Sequence, residues 1–346
     1  MHSDGPTMGR LLAKVQPRMT LFTGSGKVAE ELAVSLRGKV KLEDAGFDWK
    51  VLGADVPADA RERAYVAWQC DQDAYACSGQ KCSAQSAMFV HKKWVAAGLL
   101  DECAKLAARR RLADLTVGPV LTWTTAALAA HVSALLALPG ARLLWGGRPL
   151  AGAGVAAIPA VYGAFEPTAV SVPLRAMLAT PAAYATATRE VFGPVQIVVE
   201  WDDGELPLVL EALERMEHHL TAGIVSNDVR FVHKVLGSTV NGTQYVGARA
   251  RTTGAPQNHV RVPGGRARRA RARGASARLF ARPLTHFLPP LDSRALHATQ
   301  WFGPSGDPRG AGIGTKEAIQ LVWSAHREII SDVGPIPLDW TLPAAT

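Results

Sequence analysis

The 346-residue sequence predicts an α/β fold with a largely parallel sheet. Three observations carry the prediction. Short β-prone runs alternate with segments of helical spacing, the pattern of strand–helix–strand units. Glycine-containing turns separate several of these runs. Hydrophobic residues make up 48% of the chain and charged residues 20%, a globular balance that excludes collagenous, coiled-coil and wholly disordered classes. At roughly 100–200 residues per domain, the length allows about two.

Residues 19–23 form a β-prone run that ends at Gly24-Ser25-Gly26, and residues 28–36 follow with apolar Val28, Leu32, Val34 and Leu36 at helical spacing. Strands follow at 39–42 and 49–56. Residues 65–75 read as a helix running into Cys77-Ser78-Gly79-Gln80-Lys81-Cys82, and residues 86–91 as an apolar strand. Residues 94–111 read as one amphipathic helix whose three closing arginines suit the negative end of its dipole. The most apolar stretch, 121–145, is broken by His131, Pro139, Gly140 and Arg142, short of the ~18 apolar residues a membrane span needs. It reads as a buried helix followed by a strand at 142–145. Strands at 168–172, 195–200 and 221–226 and a helix at 206–219 complete the alternation. Residues 1–10 contain neither an apolar signal core nor an Arg-rich amphipathic helix.

A formal charge of +8 raises the question of a nucleic-acid partner. Nine of the 38 basic and one of the 30 acidic residues fall within 260–300, leaving 29 of each elsewhere. The rest of the chain therefore has no basic bias. Residues 266–273 are built of Arg and Ala, and the whole segment lacks strand alternation or an apolar helix face, so it reads as a disordered insertion. As a nucleic-acid arm it is disfavoured, because its arginine run carries no interleaved aromatic and lies between glycine-rich loops. Val codons begin with GT and a Gln codon can end in AG, so Val260 and Gln300 also fit the edges of an in-frame intron that was translated.

The cysteines Cys70, Cys77, Cys82 and Cys103 form no C-x-x-C pair and are followed by no zinc-type His spacing, so no metal is expected. Free thiols in a reduced compartment are the default. Gly24-Ser25-Gly26-Lys27-Val28-Ala29 matches G-x-G-x-x-A, with Glu43 and Asp44 lying 19 and 20 residues beyond Gly24. Alone, this reads either as a dinucleotide fingerprint or as a tight turn that needs small residues. Leu21 and Val28 stand where a P-loop needs Gly and Ser or Thr, which excludes that motif. Cys82 follows Gly79-Gln80-Lys81 at a helix end. A neighbouring positive charge, an accessible turn and backbone N–H groups would favour a thiolate nucleophile there. The alternative is that all four cysteines fill core space.

Taken in order, Phe22-Thr23-Gly24-Ser25, Leu42-Glu43-Asp44-Ala45-Gly46, Gly79-Gln80-Lys81-Cys82-Ser83-Ala84 and Glu190-Val191-Phe192-Gly193-Pro194 resemble the aldehyde dehydrogenases. Further detail resembles their Δ1-pyrroline-5-carboxylate dehydrogenase branch, the plant and algal type in particular: Asp4-Gly5-Pro6-Thr7, residues 42–49, Arg251-Thr252-Thr253-Gly254-Ala255 and Trp301-Phe302-Gly303-Pro304. The resemblance covers residues 2–259 and 301–346. It implies a remnant of an NAD-binding domain over 1–42, a catalytic domain over 43–259, the insertion over 260–300, and over 301–346 the end of the catalytic domain with an oligomerisation segment.

By that resemblance, Cys82 attacks the aldehyde and Glu43 activates the water that hydrolyses the resulting thioester. This displaces the fingerprint reading of Glu43. Glu190 takes the ribose next to the nicotinamide of NAD, Phe192 lies against the ring, and Gly24, Ser25 and Val28 line the diphosphate and adenine side. Ser83 and the backbone at Gly254 and Ala255 hold the distal carboxylate of glutamate 5-semialdehyde, since glycine turns cradle anions without a lysine. The implied function is NAD-dependent oxidation of that semialdehyde to glutamate in proline degradation. The family also implies mitochondrial residence and, where the full-length domain is present, a homo-oligomer; from the residues, no membrane partner is expected and a nucleic-acid partner is disfavoured. Family members carry a further N-terminal stretch with opening strands, an oxyanion asparagine and a ribose lysine, and this sequence begins after all of them. Loss of one oxyanion donor typically costs ~10²–10³ in rate, so weak or no turnover is expected of this chain. The alternative is a silent partner subunit that packs on an intact homologue through residues 330–346.

Overall fold

The computed structural model describes residues 3–44, 46–150, 158–216, 219–253 and 328–346, the side chains of 41–44 and 328 excepted. Helix α1 (Gly5–Val15) starts where Asp4 accepts a hydrogen bond from the Thr7 N–H at 2.7 Å, and ends where Gln16 turns left-handed. Strand β1 (Thr20–Gly24), helix α2 (Gly26–Ser35) and strand β2 (Val40–Asp44) follow, and the two strands pair in parallel as a separate two-stranded sheet. Ala29, Leu32, Leu36 and Val40 are buried in this unit. The boundary expected between residues 42 and 43 falls inside β2. The apolar pattern stops at Leu42, but pairing continues through Thr23 with Glu43 and Gly24 with Asp44.

Among the described residues the main sheet has eight strands. In chain order they are β3 (Asp48–Leu52), β4 (Gln85–His91), β5 (Arg142–Trp145), β6 (Thr168–Ser171), β7 (Val195–Trp201), β8 (Thr221–Val225), β9 (Thr243–Val246) and β10 (Glu328–Ser331). Across the sheet the order is β10-β9-β8-β3-β4-β7-β6-β5, parallel throughout except for the antiparallel β5–β6 edge. This is the largely parallel α/β sheet that the alternation predicts.

Central strands must be apolar on both sides because helices cover both faces. On one face Trp49, Val51, Phe89, Ile197 and Ile224 pack with α6 (Thr125–Leu136), α7 (Leu174–Leu178), α8 (Pro181–Ala187), α9 (Leu206–Glu214) and α10 (Val229–Gly237). On the other, Leu52, Met88, Val90 and Val198 meet α3 (Ala60–Tyr75), α4 (Lys92–Ala96) and α5 (Leu99–Ala107). Beyond β10, Trp340 packs edge-on to Tyr65 of α3 with ring centroids 5.2 Å apart.

Three expectations are corrected. The helix expected over 94–111 is two helices, because Gly98 takes φ +85° between α4 and α5. The strand expected over 49–56 ends at Leu52, and the helix expected over 206–219 ends at Glu214. Helices α1, α7, α8 and α10 and strands β9 and β10 add to the elements read from the sequence. No helix among the described residues is long and apolar enough to cross a membrane. The insertion over 260–300, read also as an arginine arm, and the motif at 301–304 lie outside the described residues.

Candidate active site

Helix α3 ends in a run of left-handed backbone at Cys77 (φ +57°), Ser78 (φ +58°) and Gly79 (φ +68°). A non-glycine residue in that region costs roughly 1–2 kcal/mol, so the turn must be held from outside. Ser78 Oγ accepts from the Gly118 N–H at 2.8 Å. The Gln80 amide donates to Pro119 O at 2.9 Å and accepts from the Leu121 N–H at 2.8 Å. Clamped in this way, the turn presents Cys82 half-buried, with Ser83 half-buried beside it. Cys70 and Cys103 are buried, as core-filling cysteines are, whereas Cys77 is exposed. The reading that all four fill core space is therefore corrected: the strained turn carries Cys77 outward.

Two glycines join the motifs. A β-carbon at Gly79 would stand 2.3 Å from Gly193 O, so the cysteine turn and the Glu190–Pro194 loop touch through main chain. A β-carbon at Gly46 would stand 2.5 Å from Cys82 O, and the Gly46 N–H donates to Glu190 Oε1 at 3.1 Å. Gly46 lies two residues beyond the end of β2, where Asp44 pairs with Gly24 and Glu43 with Thr23. The carboxyl ends of β1 and β2, the cysteine turn and the Glu190 loop therefore converge. The Glu43 side chain lies outside the described ones, as do Gly254 and Ala255.

The remaining expected residues are placed as follows. Ser25 N-caps α2 without a side-chain hydrogen bond, and Gly24, Ser25 and Val28 are exposed. Phe192 is half-buried with φ +49°, a left-handed conformation unusual for an aromatic residue. The adjacent Arg189 guanidinium sits 4.7 Å from the ring centroid of Trp123, which fixes this loop to the segment before α6.

The positive charge expected near the cysteine is Lys81, whose ammonium donates to Gln72 O at 3.3 Å. Burial pushes its pKa down, while Asp73 and Cys77 act the other way. Two surface hollows, one lined by Ala60, Trp94 and Glu102 and the other by Glu62, Asn227 and Val333, involve none of these residues.

Sequence reasoning missed a buried ionic cluster next to this turn. Lys50 on β3 is fully buried, with its ammonium 2.7 Å from Asp73 of α3. Asp73 also accepts from the Thr252 N–H at 2.7 Å and from the Thr253 hydroxyl at 2.5 Å. Burial alone would raise the Asp73 carboxyl, but the Lys50 ammonium and the Thr253 hydroxyl hold it below its ordinary range. Likewise burial would lower Lys50, and Asp73 overrides it to raise it. A lysine between Trp49 and Val51 in a doubly covered strand was the available signal.

A family model described as "Aldehyde dehydrogenase family" matches residues 1–265. The chain is 53% identical over all of its 346 residues to a protein of Arabidopsis thaliana named "Delta-1-pyrroline-5-carboxylate dehydrogenase 12A1, mitochondrial". It is equally identical, 53%, to one of Linum usitatissimum named "Probable aldehyde dehydrogenase". It spans 54% of the length of each relative. Among solved structures it is similar to a bifunctional proline utilization A (PutA) protein, with 26% identity and a TM-score of 0.58 over 73% of this chain and 24% of that one.

Proposed function

The chain belongs to the aldehyde dehydrogenase family, and from that premise we propose that it takes part in the NAD-dependent oxidation of L-glutamate 5-semialdehyde to glutamate. In this reading Cys82 is the nucleophile and Glu43 the base. The observation that supports it most is at Gly46, which hydrogen-bonds Glu190 and approaches the Cys82 carbonyl too closely for any side chain. The substrate class follows the name of the Arabidopsis relative, and mitochondrial residence is proposed on the same ground.

The residues present fit a dinucleotide. The Ser25 hydroxyl is not engaged in capping α2, leaving it and the first amides of the helix for a diphosphate. The Glu190 carboxylate offers acceptor oxygens for ribose hydroxyls, and Phe192 an aromatic face. NAD, when bound, supplies the hydride acceptor that converts the cysteine adduct to a thioester.

The chain's own residues perform the rest. The Cys82 sulfur bonds to the aldehyde carbon while the carbonyl π pair moves onto oxygen. In this reading backbone N–H groups beside Cys82 stabilise that oxyanion. After oxidation, Glu43 takes a proton from the attacking water, the C–S bond breaks, and glutamate leaves with the thiolate restored. Ser83, Gly254 and Ala255 hold the distal carboxylate in this proposal.

The test mixes the chain with NAD and glutamate semialdehyde, quenches in acid and maps thioesters by mass spectrometry. A glutamyl mass is expected on the Cys82 peptide, absent in Cys82→Ala and retained in Cys77→Ala. A glutamyl mass that sits on Cys77, or that persists in Cys82→Ala, refutes the assignment.

A further inference from the structure

Strand β3 alternates its side chains between the two faces, so Lys50 emerges with Leu52 toward α3, opposite to Trp49 and Val51. A β-carbon at Gly223 of β8 would stand 3.3 Å from both Lys50 Cγ and Arg251 O, so the lysine stem runs against the chain that enters Thr252. Its ammonium meets Asp73, and that one carboxylate also receives the Thr252 amide and the Thr253 hydroxyl. Lys50 is 0% and Asp73 3% exposed.

Apolar residues of similar volume often match or exceed the stability of so buried an ion pair, so stability alone does not account for it. An apolar pair, however, could not accept two hydrogen bonds from a segment that has no helix or strand of its own. Asp73 lies two residues before the end of α3, and the charge of Lys81, beside Cys82, responds to it. The carboxylate therefore ties the base of the nucleophile turn to the segment immediately before Gly254.

We infer that Asp73 is a positioning residue: with Lys50 it anchors Thr252 and Thr253 to the helix that carries the Cys82 turn, and so sets how firmly a substrate with a distal carboxylate is held at the thiol. The inference rests on the substrate reading proposed above.

The test follows alkylation of Cys82 by iodoacetamide, read on its peptide by mass spectrometry, with increasing L-glutamate as a protecting ligand. Thr253→Val removes one hydrogen bond without unpairing the buried charges. It is expected to raise the half-protecting glutamate concentration about tenfold, the scale of one hydrogen bond to a charged group. Thr253→Ser, which keeps the hydroxyl, should return it to the parent value, which a general packing defect would not do. Asp73→Asn should weaken protection at least as much as Thr253→Val. Protection that is present in the parent and unmoved in Thr253→Val, or equally impaired in the valine and serine variants, overturns the inference alone. No protection in the parent chain overturns the substrate reading, and the inference with it.

Discussion

Gly79→Ala tests whether main-chain contact between the cysteine turn and the Glu190 loop sets the site. The φ of +68° costs an alanine about 1–2 kcal/mol. The new β-carbon would stand 2.3 Å from Gly193 O, whereas real ones stay beyond 3.0 Å, so the two segments must part by about 0.7 Å or more. Overpacking of this kind adds about 1–3 kcal/mol, for a total of about 2–5 kcal/mol. Gly98→Ala is the comparison: its φ is +85° but nothing lies within 4 Å, so it carries the first cost without the second. With about 2–4 °C in Tm per kcal/mol, calorimetry should show a loss of about 2–8 °C for Gly98→Ala and about 4–20 °C for Gly79→Ala. A displacement near 1 Å at reacting groups costs about 10²-fold, so the rate of Cys82 thioester formation should fall by that order in Gly79→Ala and hold in Gly98→Ala. Equal losses of Tm in the two variants, with thioester formation intact in both, would refute the reasoning.

Two further predictions concern stability. Burial, with Arg189 nearby, lowers the His131 pKa from 6.5 to about 4. The unfolded chain therefore takes up a proton over that interval that the folded chain refuses, so stability is full above pH 6.5 and falls as pH drops toward 4, by about 3 kcal/mol. Urea unfolding at the two ends of the interval should show this, and His131→Leu should flatten it; an unchanged slope in His131→Leu would count against the assignment. Tyr75 donates its hydroxyl to Thr168 O at 2.9 Å and accepts from Trp145 Nε1 and Gln196 Nε2, each at 2.9 Å. Tyr75→Phe strands those groups, and urea unfolding should report a loss of about 2–4 kcal/mol; a loss under about 0.5 kcal/mol would mean that the network adds little.

Much of the main sheet was legible because its strands are apolar runs between breaks, and because Gly24-Ser25-Gly26 and Cys77-Ser78-Gly79 interrupt them where the chain turns. What local pattern could not show is partnership across the fold. Nothing around Gly46 or Gly79 reveals that each meets a backbone oxygen far along the chain, at Cys82 or Gly193. Periodicity treats Lys50 and Asp73 as polar interruptions, and only the pairing of β3 with α3 turns them into one buried unit. Residues 94–111 carry a continuous apolar stripe, and a single glycine at Gly98 overrode it through backbone conformation. Strand β10 escaped notice because its apolar core, Ile329-Ile330, is two residues long and depends on β9 for its pairing.

The edge position of β10 bears on how the chain is made. It docks on β9, yet Ser331 leaves the ribosome 85 residues after Val246. At about 5–20 residues per second, β9 waits roughly 4–17 s for its neighbour during synthesis. Until then β9 lacks the strand that pairs with it along that margin, and an unpaired strand margin is a template for other chains. A slower translation rate should therefore lower the soluble yield of this protein, and a chaperone that shields β-strand margins should restore it.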